Sequence, residues 1–320
     1  MSRGRIALLL ALVALALVPV LAGKFYVDLF AKIMIMAVFA MSLDLLVGVT
    51  GLVSLGHAAF FGVAGYAIVL SAGDPYAAVS LWTSLPLAVA ASALLALAIG
   101  ALALRTRGVY FIMVTLAFSQ MVYFVFHDTK IAGGSDGTYI YVKPVARIGT
   151  WAPFSLEDGK HFYYVVLALL ILTFVLLRAL LASRFGHALR GIRSNEQRMR
   201  ALGFNTYAYK LAAFAIAGAV AGLAGYFAAI QFGFVNPEML AWHQSANVLL
   251  MLILGGLGNL VGAITGAFAF VLLQDGFESL TKHWLVLMGA FVIAAVMLLP
   301  GGLTRAGDAW RAWRERAGDA

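Results

Sequence analysis

Long apolar segments separated by short polar or glycine-rich connections make up most of this chain. A helix needs about 20 mainly apolar residues to cross the hydrocarbon core of a membrane. The pattern therefore predicts an all-α polytopic integral membrane protein. Its predicted spans lie near residues 6–22, 29–48, 52–72, 85–104, 109–126, 163–181, 208–229, 243–274 and 284–299.

The stretch 243–274 is too long for one ordinary span, and the run Gly255-Gly256-Leu257-Gly258-Asn259 divides it. If it turns back on itself as a hairpin or a re-entrant pair, the arginine-rich connections and both chain ends fall on one side. This arrangement of the arginines agrees with the preference for positive charge on the cytoplasmic side. Most acids then fall on the other side. We therefore expect about ten transmembrane helices (eight to ten), with both termini in the cytoplasm.

Composition supports a membrane protein, because 63% of the 320 residues are hydrophobic and only 11% are charged. The net charge of +8 is better explained by topology and anionic lipid than by nucleic acid, since the arginines cluster between apolar spans. We expect one transmembrane domain over 1–320, with an external loop at 127–161 and a basic cytoplasmic tail at 304–320. The start resembles a signal peptide, but an uncleaved first membrane helix is favoured.

A basic segment at 183–204, here called the elbow, interrupts the apolar pattern. Phe185, Leu189 and Ile192 are spaced to form one apolar face of a short amphipathic helix. Ser194 and Gln197 have the spacing of a capping box, which predicts a second short helix that Gly203 would end. An ordinary basic cytoplasmic loop is the alternative interpretation. The elbow contains five arginines and one acid, namely Arg184, Arg190, Arg193, Arg198, Arg200 and Glu196.

A few polar residues fall within or beside the predicted spans, where such residues usually face a cavity or a partner. Simple bonding to a neighbouring helix is an equally good explanation for them. Their small number argues against a carrier driven by protons. The candidates for a translocation pathway are Asp44, Ser54, His57, Ser119 and Gln120. Ser54 and His57 are one helical turn apart and could face the same side of a helix, and Ser119 and Gln120 form a second polar pair.

Small residues repeat at intervals of four in two predicted spans, which allows close approach of helix backbones. The candidate packing positions are Gly218, Gly222, Gly258, Gly262 and Gly266. Separately, Gly48-x-x-Gly51-Leu52-Val53 is similar to Gly255-x-x-Gly258-Asn259-Leu260-Val261, a weak sign of an internal repeat. No zinc-protease motif or phosphate-binding loop is present, and we expect no Gly-x-Ser-x-Gly nucleophile elbow. We also expect no metal, no cofactor and no enzymatic activity in this chain.

Four stretches together resemble the LivM-type permeases of branched-chain amino acid ABC importers. They are residues 51–67, 104–121 with 133–137, 183–225, and 233–238 with 249–268. The resemblance implies a multi-pass permease of the bacterial inner membrane. It also implies three kinds of partner: a LivH-type permease, two cytoplasmic ATPases and a periplasmic amino-acid-binding protein. Membrane lipid is expected as a further partner from the charge pattern, and nucleic acid is not.

In that family the elbow is the coupling element that docks into an ATPase. The residues that match its pattern here are Gly186, Arg190, Arg193, Asn195, Glu196, Ala201 and Gly203. The expected function is translocation of a branched-chain or related hydrophobic amino acid by alternating access. The alternatives are the same machine acting on urea or a short amide, and a stand-alone channel or secondary carrier for a small neutral solute.

Overall fold

The computed structural model describes residues 3–73, 76, 78–148, 151–298 and 301–305, and helices dominate it. The predicted tail at 304–320 lies mostly outside the described residues. The helices are α1 Arg3–Leu21, α2 Lys24–Asp44, α3 His57–Ala72, α4 Leu81–Ala103, α5 Val109–Asp128, α6 Gly159–Ala182, α7 Arg184–Ser194, α8 Glu196–Ala201, α9 Thr206–Phe232, α10 Trp242–Gly255, α11 Leu260–Leu280 and α12 Trp284–Leu298.

Within the described part of the chain, six helices are long and apolar enough to cross a membrane. These are α2 together with its continuation to Thr50, α4, α5, α6, α9 and α11. Shorter apolar helices are Leu10–Leu21 within α1, and α3 and α12. The fold class is thus that of a helical multi-pass membrane protein, with small additions of β structure.

Helix α2 lies at the centre of the fold and packs against α6, α9 and α11. It continues as one π-helical turn, Leu45–Thr50, that ends at Gly51. Gly51 has a φ of +76°, a left-handed conformation that glycine adopts without steric cost. Because residues 51–56 are not helical, the predicted span at 52–72 is wrong in its first part: α3 begins only at His57.

Small residues allow α9 to lie directly against its neighbours. A Cβ on Gly218 would collide with Ala96 of α4, and one on Gly222 would collide with Ser92 of the same helix. At Gly225 the obstacle would be the backbone carbonyl of Phe61 in α3. Close backbone approach of this kind maximises van der Waals contact where lipid removes the hydrophobic driving force.

The long stretch 243–274 is two helices, α10 and α11, that pack against each other around the turn at 256–259. A Cβ on Gly255 would overlap the carbonyl of Gly262, and one on Gly266 would overlap that of Met251. The spacing of Gly258 predicts that it belongs to the series of small residues in a helix, and this prediction is wrong. Gly258 lies in the turn with a φ of +80°, a conformation that favours glycine.

The connection between α5 and α6 contains the β structure. Strand β1, Thr138–Tyr139, pairs antiparallel with β4, Phe234–Val235, and β2, Ala146–Ile148, pairs antiparallel with β3, Trp151–Phe154. The expectation that the sequence lacks the Gly-x-Ser-x-Gly motif of hydrolases is wrong, because the run 133–137 has that spacing. It forms part of a 3₁₀ turn, Ile131–Asp136, in which the Ser135 hydroxyl contacts Asp136 at 3.3 Å, so it is not a strand-to-helix nucleophile turn.

Candidate functional site

The elbow consists of α7 and α8, and α7 is amphipathic as predicted. Leu189 and Ile192 are buried on its inner face, while the Phe185 ring stacks on Tyr209 of α9 at 5.5 Å between centroids. Gly186 allows α7 to turn tightly after α6, because a Cβ there would lie 2.5 Å from the carbonyl oxygen of Leu181. Helix α7 is therefore packed onto the helical bundle through its apolar face.

The second short helix is present, but its cap differs from the prediction. The Asn195 side chain, through Oδ1, accepts a hydrogen bond from the Arg198 backbone N–H at 2.8 Å. Ser194 instead ends α7 and donates its hydroxyl proton to the carbonyl of Gly191 at 2.9 Å. The capping box at Ser194 is thus wrong by one residue, because Asn195 has the extended backbone that an N-cap requires. Gly203, with a φ of +86°, follows the end of α8.

Glu196 attaches α8 to the start of α9. The Oε1 atom of the carboxylate lies 2.6 Å from Arg200, and Oε2 lies 2.6 Å from Lys210. The Thr206 hydroxyl donates a hydrogen bond to Oε1 at 3.1 Å. Partial burial would raise the pKa of the Glu196 carboxyl. The hydrogen bond and charge of Lys210, with bonds from Thr206 and Arg200, outweigh burial and lower that pKa to about 2.

Two arginines of α7 turn inward, toward the protein's own backbone. Arg190 donates to the carbonyl of Leu181 at 3.0 Å, and Arg193 donates to the carbonyl of Gly48. The aliphatic part of Arg193 also lies against Gly51, where an added Cβ would be 3.3 Å from the arginine Cγ. Arg193 thus joins the elbow to the π-helical end of α2.

The same place holds the turn between α10 and α11. Asp44 accepts a hydrogen bond through Oδ1 from the Gly258 backbone N–H at 2.7 Å, and its Oδ2 has no hydrogen-bond partner among the described residues. A Cβ on Gly48 would collide with both Asp44 and Gly258. The two glycine segments that look alike in sequence therefore meet in space. We call the cluster of Asp44, Gly48, Arg193 and Gly258 the glycine junction.

The opposite face of the elbow is open. Arg184 and Arg198 are exposed, and their guanidinium groups make no hydrogen bond or ion pair with any residue that the structure describes. Ala201 and Gly203 are exposed as well, and Leu202 keeps 67% of its surface accessible. The residues that match the coupling pattern thus form two groups. The inner group, which includes Arg190, Arg193 and Glu196, binds other parts of this chain, and the outer group, Ala201 and Gly203, faces away from it.

Of the other pathway candidates, Ser54, His57 and Ser119 are fully buried, as Asp44 is, whereas Gln120 is partly buried. His57 is fully buried, bonded through Nε2 to the Ser42 hydroxyl at 2.8 Å and stacked on Phe39, while its Nδ1 has no described partner. Ser54 precedes α3 and is not helical. The expectation that Ser54 and His57 share one face of a helix is therefore wrong. The Ser54 hydroxyl accepts a bond from the Gly56 N–H at 3.3 Å.

Ser119 and Gln120 of α5 do not act as a pair in this structure. The Ser119 hydroxyl points at the carbonyl of Leu240 at 3.5 Å, and the Gln120 amide nitrogen is buried without a partner in the described chain. Sequence reasoning missed Ser245, whose hydroxyl accepts a bond from the Ala58 N–H at 2.8 Å and so joins α10 to the start of α3. Among the described residues, no group of three metal-binding side chains occurs.

The architecture defines a helical, multi-pass membrane protein with an amphipathic elbow attached to its central helix. Residues 25–299 match the family model described as branched-chain amino acid transport system / permease component. The chain belongs to this family of transport permeases.

Named relatives agree with this assignment. The high-affinity branched-chain amino acid transport system permease protein LivM of Salmonella typhimurium is 31% identical over 92% of this chain and 74% of its own length, and that of Escherichia coli matches equally well. The autoinducer 2 import system permease protein LsrC of Photorhabdus laumondii is 28% identical over 53% of this chain and 52% of its own. No solved structure matches the chain significantly.

Proposed function

We propose that this chain is a permease subunit of a bacterial ABC importer, and that it translocates branched-chain or related hydrophobic amino acids by alternating access. The observation that carries the proposal is the elbow, an amphipathic element with one face bonded to the bundle and the other open, in a chain of the permease family. A partner ATPase would contact the open face. A LivH-type permease, a second ATPase and a periplasmic binding protein would complete the importer in the inner membrane.

We further propose that α1 to α6 and α9 to α12 provide ten membrane crossings. Contacts at both ends of the bundle support this topology. Arg193 brings the elbow to the end of α2, and Asp44 brings the α10–α11 turn to the same place. Far from the elbow, the Tyr163 hydroxyl at the start of α6 donates to the Leu15 carbonyl in α1 at 2.8 Å. The density of arginine places the elbow end, with both termini, in the cytoplasm.

The two faces of the elbow suggest two different roles, namely binding of the ATPase and transmission of movement to the bundle. Arg184, Arg198 and Leu202 on the open face would bind the ATPase, since exposed arginines beside an apolar side chain form good interface anchors. Arg190, Arg193 and Glu196 would pass the resulting movement on to α6, α2 and α9 through the bonds described above. Because the elbow is attached to the bundle at these three points, its two short helices can move together with the helices they contact.

Cargo would pass Asp44, Ser54, His57, Ser119 and Gln120 only when the bundle opens, because the first four side chains are buried in the present conformation and Gln120 is partly buried. The unpartnered nitrogens of His57 and Gln120 support this idea, since a buried polar atom without a bond is costly. The site offers no matched charges for both ends of an amino acid. We therefore expect calorimetry of the purified chain with leucine to detect no binding at micromolar concentrations.

Uptake of labelled leucine into proteoliposomes tests the proposal. Vesicles with the complete importer and the binding protein should accumulate leucine only when ATP is supplied, and vesicles with this chain alone should not. Uptake by the chain alone, without ATP, would instead support a channel or a secondary carrier. Urea, a short amide and autoinducer 2 should be offered in parallel, because the family includes relatives with different named cargoes.

A further inference from the structure

A cleft of about 700 Å³ opens beside the elbow, between the non-helical segment after α2, the turn from α4 to α5, and α7. We call it the basic cleft. Its charged lining residues are Arg105, Arg107, Arg193, Arg200, Lys210 and Glu196. Five cations and a single acid therefore line this cleft, as far as the structure describes the chain.

The charges in the basic cleft are unevenly satisfied. Glu196 already binds both Arg200 and Lys210, and Arg193 donates to the carbonyl of Gly48. The guanidinium groups of Arg105 and Arg107 make no hydrogen bond or ion pair with any described residue, and both residues are exposed. Two guanidinium groups two residues apart, with no carboxylate left to neutralise them, favour an anion with several acceptor oxygens.

The surroundings of the basic cleft identify the kind of anion. Directly after the α4–α5 turn, α5 exposes large apolar side chains: Val109 is 64% accessible, Tyr110 75% and Met113 61%. Leu102 of α4 is exposed just before the turn. A positive cleft that adjoins an apolar strip complements a molecule with a phosphate group at one end and hydrocarbon chains at the other.

We propose that the basic cleft is a binding site for an anionic phospholipid. Arg105 and Arg107 bind the headgroup phosphate, and the acyl chains lie along the exposed strip of α5. The cations of the elbow and α9 reinforce the positive potential of the site. A lipid bound there contacts both α5 and the elbow, so it would stabilise the arrangement of these two elements without taking part in cargo binding. The site does not depend on which solute the permease carries.

Native mass spectrometry of the full chain, purified in mild detergent and incubated with phosphatidylglycerol or phosphatidylcholine, tests the proposal. The wild-type protein should retain phosphatidylglycerol in preference to phosphatidylcholine. The double variant Arg105→Gln/Arg107→Gln should retain at least about tenfold less, since each basic side chain near a membrane surface contributes appreciably to anionic-lipid binding. Arg184→Gln/Arg198→Gln is the matched control for lipid binding: it removes the same charge from the open face of the elbow, outside the cleft, and should retain as much phosphatidylglycerol as the wild type.

Each other outcome changes or overturns the proposal. Equal loss of lipid in both double variants would show that net charge alone, and no specific cleft, holds the lipid. Equal thermal stabilisation of the wild type by inorganic phosphate and by phosphatidylglycerol would assign the site to a free anion. Loss of the bound lipid when the ATPases assemble on the chain would show that an acidic protein surface occupies the cleft. Thermal unfolding of both double variants provides the check that they are folded.

Discussion

Helices α2 and α5 are similar in length and apolarity, but the bundle encloses one and leaves the other bare. In the most apolar 18-residue stretch of each, every residue of α2 with its continuation is buried, against 17% in α5. Helix α2 ends at the glycine junction, where the elbow and the α10–α11 turn also meet. Helix α5 begins at the basic cleft and contacts the bundle mainly through Phe111, Thr115 and Ser119.

The difference shows that hydropathy identifies membrane helices without showing what covers them. In lipid, an apolar side chain is equally compatible with acyl chains and with a neighbouring helix. Close packing is decided by side-chain size, and the end of α2 has small residues where its neighbours approach. We infer that α2 is the central helix on which the elbow acts. Helix α5 is available to lipid or to the partner permease.

Within the glycine junction, the largest expected effect of a small substitution is at Gly48. Gly48→Ala should lower stability by about 3 kcal/mol or more, because the new Cβ would collide with the backbone of Gly258 as well as with Asp44. Gly276→Ala in α11 is the control, since an added Cβ meets nothing within 4 Å there. The measurement is the melting temperature in detergent, with the yield of monodisperse protein. Equal tolerance of both substitutions would contradict the tight packing of the glycine junction.

Phenylalanine truncation compares α2 with α5 directly. Phe39 in α2 is fully buried, whereas Phe124 in α5 is 50% exposed. Phe39→Ala should cost on the order of 2 kcal/mol, mainly from the cavity it leaves, since an apolar phase surrounds the side chain in either state. Phe124→Ala should cost less than about 0.5 kcal/mol. Unfolding of the isolated chain in detergent measures both, and similar losses would remove the contrast between the helices.

A smaller, local effect is expected from acid, because α8 is attached through the ion pairs of Glu196. The folded-state pKa of Glu196 is about 2, below its ordinary value of 4.5. The stabilisation is therefore complete above about pH 4.5 and is lost as the pH falls through 2. Cleavage of the elbow by pepsin, followed by mass spectrometry between pH 5 and pH 2, should increase over this range in the wild type.

Glu196→Gln should make the elbow accessible to pepsin at every pH tested. Glu157→Gln removes an exposed acid from the connection between α5 and α6, so it should leave the wild-type profile unchanged and correct for the enzyme's own pH dependence. A wild-type elbow whose cleavage does not vary between pH 5 and pH 2 would show that the ion pairs contribute nothing to its attachment.

The sequence was sufficient for the features that depend on local pattern. Apolar segment length predicted most of the spans, the glycine run at 255–259 predicted the break between α10 and α11, and the spacing of Leu189 and Ile192 predicted the amphipathic α7. Glycine at the break and at Gly203 had a direct physical meaning, because left-handed backbone favours that residue. The late start of α3 was not predicted, since the non-helical residues after Gly51 are nearly as apolar as a helix.

The inward direction of Arg193 could not be predicted from its neighbours in the chain. Its acceptor, the carbonyl of Gly48, lies 145 positions away in sequence, and a backbone oxygen at the end of a π turn leaves no mark in composition. Glu196 is similar, because its partner Lys210 lies in α9 beyond a turn. For this reason the predicted coupling residues formed one group in the sequence, whereas the structure separates those that face this chain from those that face outward.

The central claim is that Arg193 transmits the movement of the elbow to α2. The most direct test is the ratio of leucine uptake to ATP hydrolysis by the complete importer in proteoliposomes, for wild type, Arg193→Ala and Arg193→Lys. We predict that Arg193→Ala keeps hydrolysis within about twofold of wild type and loses at least about tenfold in uptake, with Arg193→Lys between them because lysine keeps the charge without the planar fork of donors. An unchanged ratio in Arg193→Ala would contradict the claim.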